Sequence, residues 1–204
     1  MPLYKGSTKI KTLYHGNTKI KKLYKGSTLV YSMGYPSGTV LLEQSTAGTY
    51  TLTVLYDSTI HVDLVGAGSG GWVQKFGGSI TRKAKGGSGA YISGTTTISA
   101  GTYTIVVGAG SAGRDSSYIG TINAGGDSTF LNNIAGGAPS WNTGQEDEGP
   151  GGSYTVVSTG LSGQNGNTGD STGWINGYGA GASASSDSSS NLRGKDGYCK
   201  ITIV

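Results

Sequence analysis

The sequence predicts an all-β chain: a small N-terminal β-meander of decapeptide repeats, then a glycine-rich β-sandwich-like domain with long Gly-rich loops. Three observations carry that prediction. A decapeptide recurs three times, short segments alternate apolar and polar residues, and 39 of 204 residues are Gly, set in runs between those segments. No stretch sustains a 3.6-residue apolar period behind a capping residue, so almost no α-helix is expected.

The repeats come first. Leu3-Tyr4-Lys5-Gly6-Ser7-Thr8-Lys9-Ile10 is followed by Leu13-Tyr14-His15-Gly16-Asn17-Thr18-Lys19-Ile20 and by Leu23-Tyr24-Lys25-Gly26-Ser27-Thr28-Leu29-Val30. Each reads as a short strand closed by a tight Gly-Asn or Gly-Ser turn. Two registers are open. Turns that preserve parity would place Tyr4, Ile10, Tyr14, Ile20, Tyr24 and Val30 on one face, whereas two-residue loops would pair Leu13 with Ile20. Either option gives a three- or four-strand meander with a Tyr/Ile side and a Lys side. A meander this small is marginal in water and is expected to dock on something.

Residues 1–32 form the repeat module, 33–38 a hinge containing Pro36, and 39–204 the glycine-rich domain. Strands are expected at 39–43, 49–54, 60–65, 90–98, 102–107, 128–131, 154–157 and 198–204. In the last of these, Cys199, Ile201 and Ile203 alternate with Lys200 and Thr202, which turns Cys199 toward the core. The Gly runs between strands are too frequent for simple linkers. Spaced glycines let backbones approach closely and can support polyproline II-like segments that pack without side chains. The Ser-rich run 183–191 reads as the most mobile stretch.

Composition narrows the class. Leu, Ile, Val and Phe total 38 residues, a thin apolar supply, but a net charge of +4 is too low for a disordered chain. Thirteen Tyr and many Thr supply half-buried β surface, and self-association, as a trimer, would let thin layers bury one another's faces. Charge is uneven: residues 1–42 carry seven Lys and no acid, leaving the rest of the chain at −3. The basic module therefore suits an acidic protein collar, nucleic acid or an anionic wall polymer, or simply a Lys-bearing edge that blocks strand pairing. The absence of Arg from the repeats, and of base-stacking spacing, argues against nucleic acid. Cys199 is the lone cysteine, so there is no disulfide framework. Neither a signal peptide nor an apolar run long enough to span a membrane is apparent, and release by lysis is expected.

The motifs that suggest catalysis or cofactors lack their context. Gly66-Ala67-Gly68-Ser69-Gly70-Gly71 and Gly108-Ala109-Gly110-Ser111-Ala112-Gly113 match the dinucleotide-binding pattern, but neither opens a helix whose N-terminus would hold a pyrophosphate. His15 reads as a turn residue and His61 as a sheet-face residue. Glu146, Asp147 and Glu148 form one acidic cluster, which reads as a solvated loop rather than a glycosidase pair or a cation site. No catalytic, cofactor or metal residue is assigned. Trp72, Trp141, Trp174 and Tyr178 sit among Gly, Ser and Asn, which suits either stacking on a ligand or plugging a core short of large side chains. They are the candidate receptor contacts. Tyr4, Lys9, Tyr14, Lys19 and Tyr24 are the candidate attachment residues.

The order of the segments Ala47-Gly48-Thr49-Tyr50-Thr51-Leu52, Val62-Asp63-Leu64-Val65-Gly66-Ala67-Gly68, Gly89-Ala90-Tyr91, Ile98-Ser99-Ala100-Gly101-Thr102-Tyr103-Thr104-Ile105-Val106-Val107-Gly108-Ala109-Gly110, Gly125-Gly126-Asp127-Ser128-Thr129-Phe130 and Gly194-Lys195-Asp196-Gly197-Tyr198 resembles the glycine-rich domain of bacteriophage tail-fibre and virion-surface proteins. The resemblance covers about residues 39–204. It implies a non-enzymatic, often trimeric virion part: a tail-tip or fibre adhesin that docks through its repeats and meets a host-surface glycan or protein, or else a capsid-decorating head fibre. A glycan depolymerase using the acidic cluster is a further alternative. More Ser and Thr than in some members of that family favour ordinary strands with Gly-rich loops over a polyglycine lattice.

Overall fold

In a computed structural model of the 204-residue chain, residues 4–5, 7–9, 13–20, 22–32, 34–77, 79–115, 120–143, 148–182 and 192–204 are described. The repeats form three two-stranded hairpins: β1 (Tyr4–Lys5) with β2 (Thr8–Lys9), β3 (Leu13–His15) with β4 (Thr18–Ile20), and β5 (Lys22–Lys25) with β6 (Thr28–Ser32). Leu13 faces Ile20, the register set by a two-residue loop. Gly16 and Gly26 both take φ +60°, which only Gly adopts freely at the first turn position. Among the described residues each repeat strand pairs within its own hairpin.

Two five-stranded antiparallel sheets build the body. The chain runs through β7 (Val40–Gln44), β8 (Gly48–Val54), β9 (Ser58–Val65), β10 (Trp72–Phe76), β11 (Ser79–Ala84), β12 (Tyr91–Ile98) and β13 (Gly101–Val107). It continues through β14 (Arg114–Asp115), β15 (Thr121–Ile122), β16 (Ser128–Phe130), β17 (Asn133–Ala135), β18 (Trp141–Asn142), β19 (Tyr154–Thr155), β20 (Leu161–Gln164) and β21 (Tyr198–Ile203). One sheet has the order β20-β12-β9-β21-β7 and the other β19-β17-β16-β13-β8. Period-two alternation turns Ile60, Val62, Leu64, Ile92, Cys199 and Ile201 of the first sheet inward against Leu52, Val54, Ile105, Val107 and Phe130 of the second. The eight strand segments expected from sequence all hold a strand, with ends shifted by a few residues. The shorter strands β14, β15, β17 and β18 were not anticipated, and neither were β10, β11 and β20.

Above the sandwich the glycine runs form a second interior. Residues 66–71 continue directly from β9 and are buried throughout. Gly66, Ala67 and Gly68 donate their N–H groups to Ala90, Gly126 and Lys195 at 2.9, 3.0 and 3.0 Å, three different segments in succession. Ser69 then returns to the first segment, donating to Gly87 at 3.0 Å. A three-residue period of lateral donors is the signature of a polyproline II-like chain, which has three residues per turn and no internal hydrogen bonds. The central carbonyls accept from Ala138, Ser111 and Ala182 of three further segments. Six segments therefore ring the central one, and they bond around the ring: Gly86 to Ala182, Lys195 to Ala180, Gly194 to Ser111, Gly126 to Ala109, Gly125 to Ala138, and Ala90 to Gly136. Of the two forms open to the Gly runs from sequence, polyproline II-like segments or loops, these take the first. A Cβ on Gly68 would fall on the Ala180 carbonyl, so no side chain fits where the backbones close on one another.

Beyond the bundle lies a tip made of sheet β11-β10-β14 and the pair β15-β18, closed by buried Trp72, Ala84, Ile122 and Trp141. The molecule has a long axis. Tyr35, just before β7, packs its ring on Tyr56, and its hydroxyl accepts from the Leu55 N–H at the start of the β8–β9 turn. From there β9 runs eight residues toward the bundle, about 27 Å at ordinary strand rise. The six residues 66–71 add about 19 Å at polyproline II rise. The repeats thus join the body at the end opposite the tip.

Candidate functional site

The outer face of the sheet containing β9, β12 and β21 carries the chemistry. Inward alternation of Leu64, Ile92 and Cys199 leaves Asp63, Tyr91, Ser93, Tyr198 and Lys200 on the other side. Asp63 Oδ1 accepts from the Tyr91 hydroxyl at 2.7 Å and from Ser93 Oγ at 2.9 Å, while His61 Nε2 lies 3.2 Å from that same Ser93 Oγ. Burial, together with the Asp63 carboxylate, raises the Tyr91 hydroxyl above the ordinary tyrosine value. The three groups are not a relay. His61 presents a single nitrogen to both Ser93 and Asp63, the latter at 3.5 Å, so no base stands oriented between a nucleophile and a carboxylate. His61 is the sheet-face residue expected from its alternation.

Two aromatic stacks flank this ladder. Trp174 lies over Tyr91 with ring centroids 5.3 Å apart and donates its indole N–H to the Gly89 carbonyl at 2.6 Å. Tyr178 lies flat on Tyr198 at 4.6 Å and 6°. The Tyr198 hydroxyl in turn donates to Glu43 Oε1 at 2.7 Å, and Lys200 Nζ approaches Glu43 Oε2 at 3.3 Å. Burial and the Glu43 carboxylate push the Tyr198 hydroxyl well above the usual range, while the Tyr198 and Lys200 contacts hold Glu43 below its usual value. The segment that brings both rings here, 170–179, is pinned by Asp170. Burial would raise the Asp170 carboxyl, but hydrogen bonds from the Thr172 side chain and N–H outweigh it and lower the value.

Beside Tyr178 a shallow groove of about 390 Å³ opens where the β7 edge meets the glycine bundle, lined by Ser45, Tyr178, Arg193, Gly194, Lys195 and Asp196. Asp196 is a structural acceptor. Its Oδ2 takes the Ala47 N–H, and its Oδ1 takes the Gly110 N–H at 2.8 Å and Arg193 Nη2 at 2.7 Å.

The sequence candidates divide. Trp174 and Tyr178 meet on this face. Trp72 and Trp141 do not: at 2% and 3% exposure they fill the tip, the core-plugging role that the sequence left open for them. Gly149 lies against the Trp141 indole nitrogen. Of the attachment candidates Tyr24 is 53% exposed, while the side chains of Tyr4, Lys9, Tyr14 and Lys19 lie outside the described residues. Glu146 and Asp147 also lie outside them, and Glu148 is exposed. Among the described residues no three His, Cys, Asp or Glu side chains gather where a metal ion could be held, and no helix is long and apolar enough to cross a membrane. Arg193 and Lys195 were not singled out from sequence, although the Gly194-Lys195-Asp196-Gly197 stretch marked the return of the chain to its last strand.

Fold and face together define an all-β sandwich extended by a glycine bundle, with a polar and aromatic outer sheet face. Residues 44–203 match the glycine-rich domain family, and the chain belongs to that family. No curated protein matches its sequence.

Proposed function

We propose that the protein is a non-enzymatic bacteriophage virion component, a tail-tip or fibre adhesin. In this reading its basic repeats dock to the particle and its glycine-rich body meets a host-surface glycan or protein. What supports the reading is the axial layout: the Lys-bearing hairpins enter beside Tyr35 and Tyr56, and the rigid bundle holds its tip at the far end. A part that must attach at one place and present at another needs that separation. The flat outer face, with hydroxyls, a carboxylate and half-buried rings but no oriented base, suits recognition better than turnover. Display of several copies, as a trimer on the virion, lets weak single contacts suffice.

Deleting residues 1–32 tests the division of labour. The truncated protein is expected to keep the thermal transition of the body while being lost from assembled particles. Particles that retain it at the level of the full chain would overturn the docking role.

A further inference from the structure

We infer that the groove beside Tyr178 binds a carboxylate-bearing sugar of an acidic glycan, an inference that rests on the adhesin reading above and names its ligand class. Three observations converge on one small surface. Tyr178 is backed by Tyr198 at 4.6 Å and 6°, so its ring is fixed in plane and lines the groove as a rigid apolar platform for a sugar's C–H face. Arg193 and Lys195 both line the groove, and both are exposed. The Lys195 ammonium lies alongside Gly177, next to Tyr178 itself.

The charge count favours an anion. The groove carries two cations and one carboxylate, and that carboxylate is committed to the Ala47 and Gly110 N–H groups as well as to Arg193. Arg193 is held in place by Asp196 yet keeps most of its planar fork, and its side chain is 56% exposed. Lys195 has no acidic partner among the described residues. A planar carboxylate projecting from a ring on Tyr178 meets both donors. The planar fork of Arg193 matches that geometry, whereas a neutral sugar would leave the surplus positive charge unanswered. About 390 Å³ accommodates one or two sugar units.

The test uses the full chain and three probes in calorimetric titration: an oligogalacturonate, a neutral malto-oligosaccharide and a poly(glycerol phosphate). Oligogalacturonate binding is expected, weakened by added salt. Arg193→Gln and Lys195→Gln are each expected to lower affinity about tenfold, Lys195→Arg to restore it, and Tyr178→Ala to lower it by a similar factor. Both cations are surface side chains, and an unchanged thermal transition verifies that the variants fold. Equal binding of the neutral oligosaccharide, preference for the phosphate polymer, or indifference to both Gln substitutions would each overturn the inference. Particles carrying Lys195→Gln separate the two claims. Undiminished adsorption to host cells sinks the acidic-sugar groove and leaves the adhesin reading standing, whereas wild-type protein that binds neither cells nor any probe sinks both.

Discussion

The sandwich and the glycine bundle are two interiors built on opposite rules within one chain. In the sandwich, side chains do the packing: Ile60, Leu64, Ile92, Ile105 and Ile201 are fully buried, and backbones stay apart at the spacing of stacked sheets. In the bundle, side chains are what must be absent. Its central residues are as buried as any in the sandwich, yet the largest side chain on residues 66–71 is a serine. Cohesion there comes from lateral N–H···O=C bonds of 2.8–3.2 Å to all sides. The contrast shows how a chain with a thin apolar supply acquires a second buried region. Its backbone groups bond laterally to the neighbouring segments, and glycine removes the obstacle to that approach.

If the two rules are correct, substitutions of opposite sense should do harm in the two places. Ile201→Ala removes volume from the sandwich and is expected to cost about 2–5 kcal/mol in chemical denaturation. Gly68→Ala adds a single methyl to the bundle, directed at the Ala180 carbonyl rather than at a yielding side chain, and is expected to cost about 1–3 kcal/mol. Because residues 66–71 continue β9 without a break, both variants should unfold in one transition. Cys199 reports on this. It is fully buried, and its thiol is pushed up to about 12 by burial and by the Asp63 carboxylate, so it should resist thiol reagents until the sandwich opens. A Gly68→Ala protein that loses its bundle signal while Cys199 stays protected would show two separable units. A Gly68→Ala protein as stable as the parent would remove the steric argument.

The same contrast explains what could be read in the sequence. Strands such as β8 and β9 were legible because Leu52 and Val54, or Val62 and Leu64, alternate with polar residues against a side-chain core. The bundle was legible only as a composition. Its order is a three-residue rhythm of backbone bonds to six different segments, and backbone bonds leave no mark on residue type beyond a shortage of large ones. Strands of two residues, such as Arg114–Asp115 and Thr121–Ile122, are too short to show any period. Trp72 and Trp141 were ambiguous for a related reason: small polar neighbours suit a stacking ring and a core plug alike, and their burial together with Ala84 and Ile122 is set by tertiary packing. At the candidate site Tyr178 was legible as an aromatic in a Gly-rich stretch. Its placement beside Arg193 and Lys195 is tertiary, set by the chain's return into the bundle.

The smallest expected effect concerns the seam where the outer face meets the bundle, and it reads out as pH dependence. Tyr198 is 2% exposed, and its hydroxyl, raised by burial first and by the Glu43 carboxylate second, favours the neutral form in the folded chain. Its contribution is therefore fully present below the unfolded tyrosine value of about 10 and is lost as the pH rises past that toward the higher folded value. Glu43, lowered by the hydrogen bond from Tyr198 and then by Lys200, works in the opposite sense. Its contribution is present above the unfolded carboxyl value of about 4.3 and is lost as the pH falls through the lower folded one. Tyr198→Phe keeps the ring that Tyr178 stacks upon but removes the hydroxyl that couples the two titrations. Thermal midpoints of the variant are expected to fall less steeply than those of the parent from about pH 9 to about pH 11. Tyr91, also raised, keeps part of that slope in both proteins. At the acid end the variant should show the shallower loss, because Glu43 then leans on Lys200 alone. Curves that run parallel at both ends would mean that Tyr198 and Glu43 do not sense each other, and the seam would owe its stability to ring stacking instead.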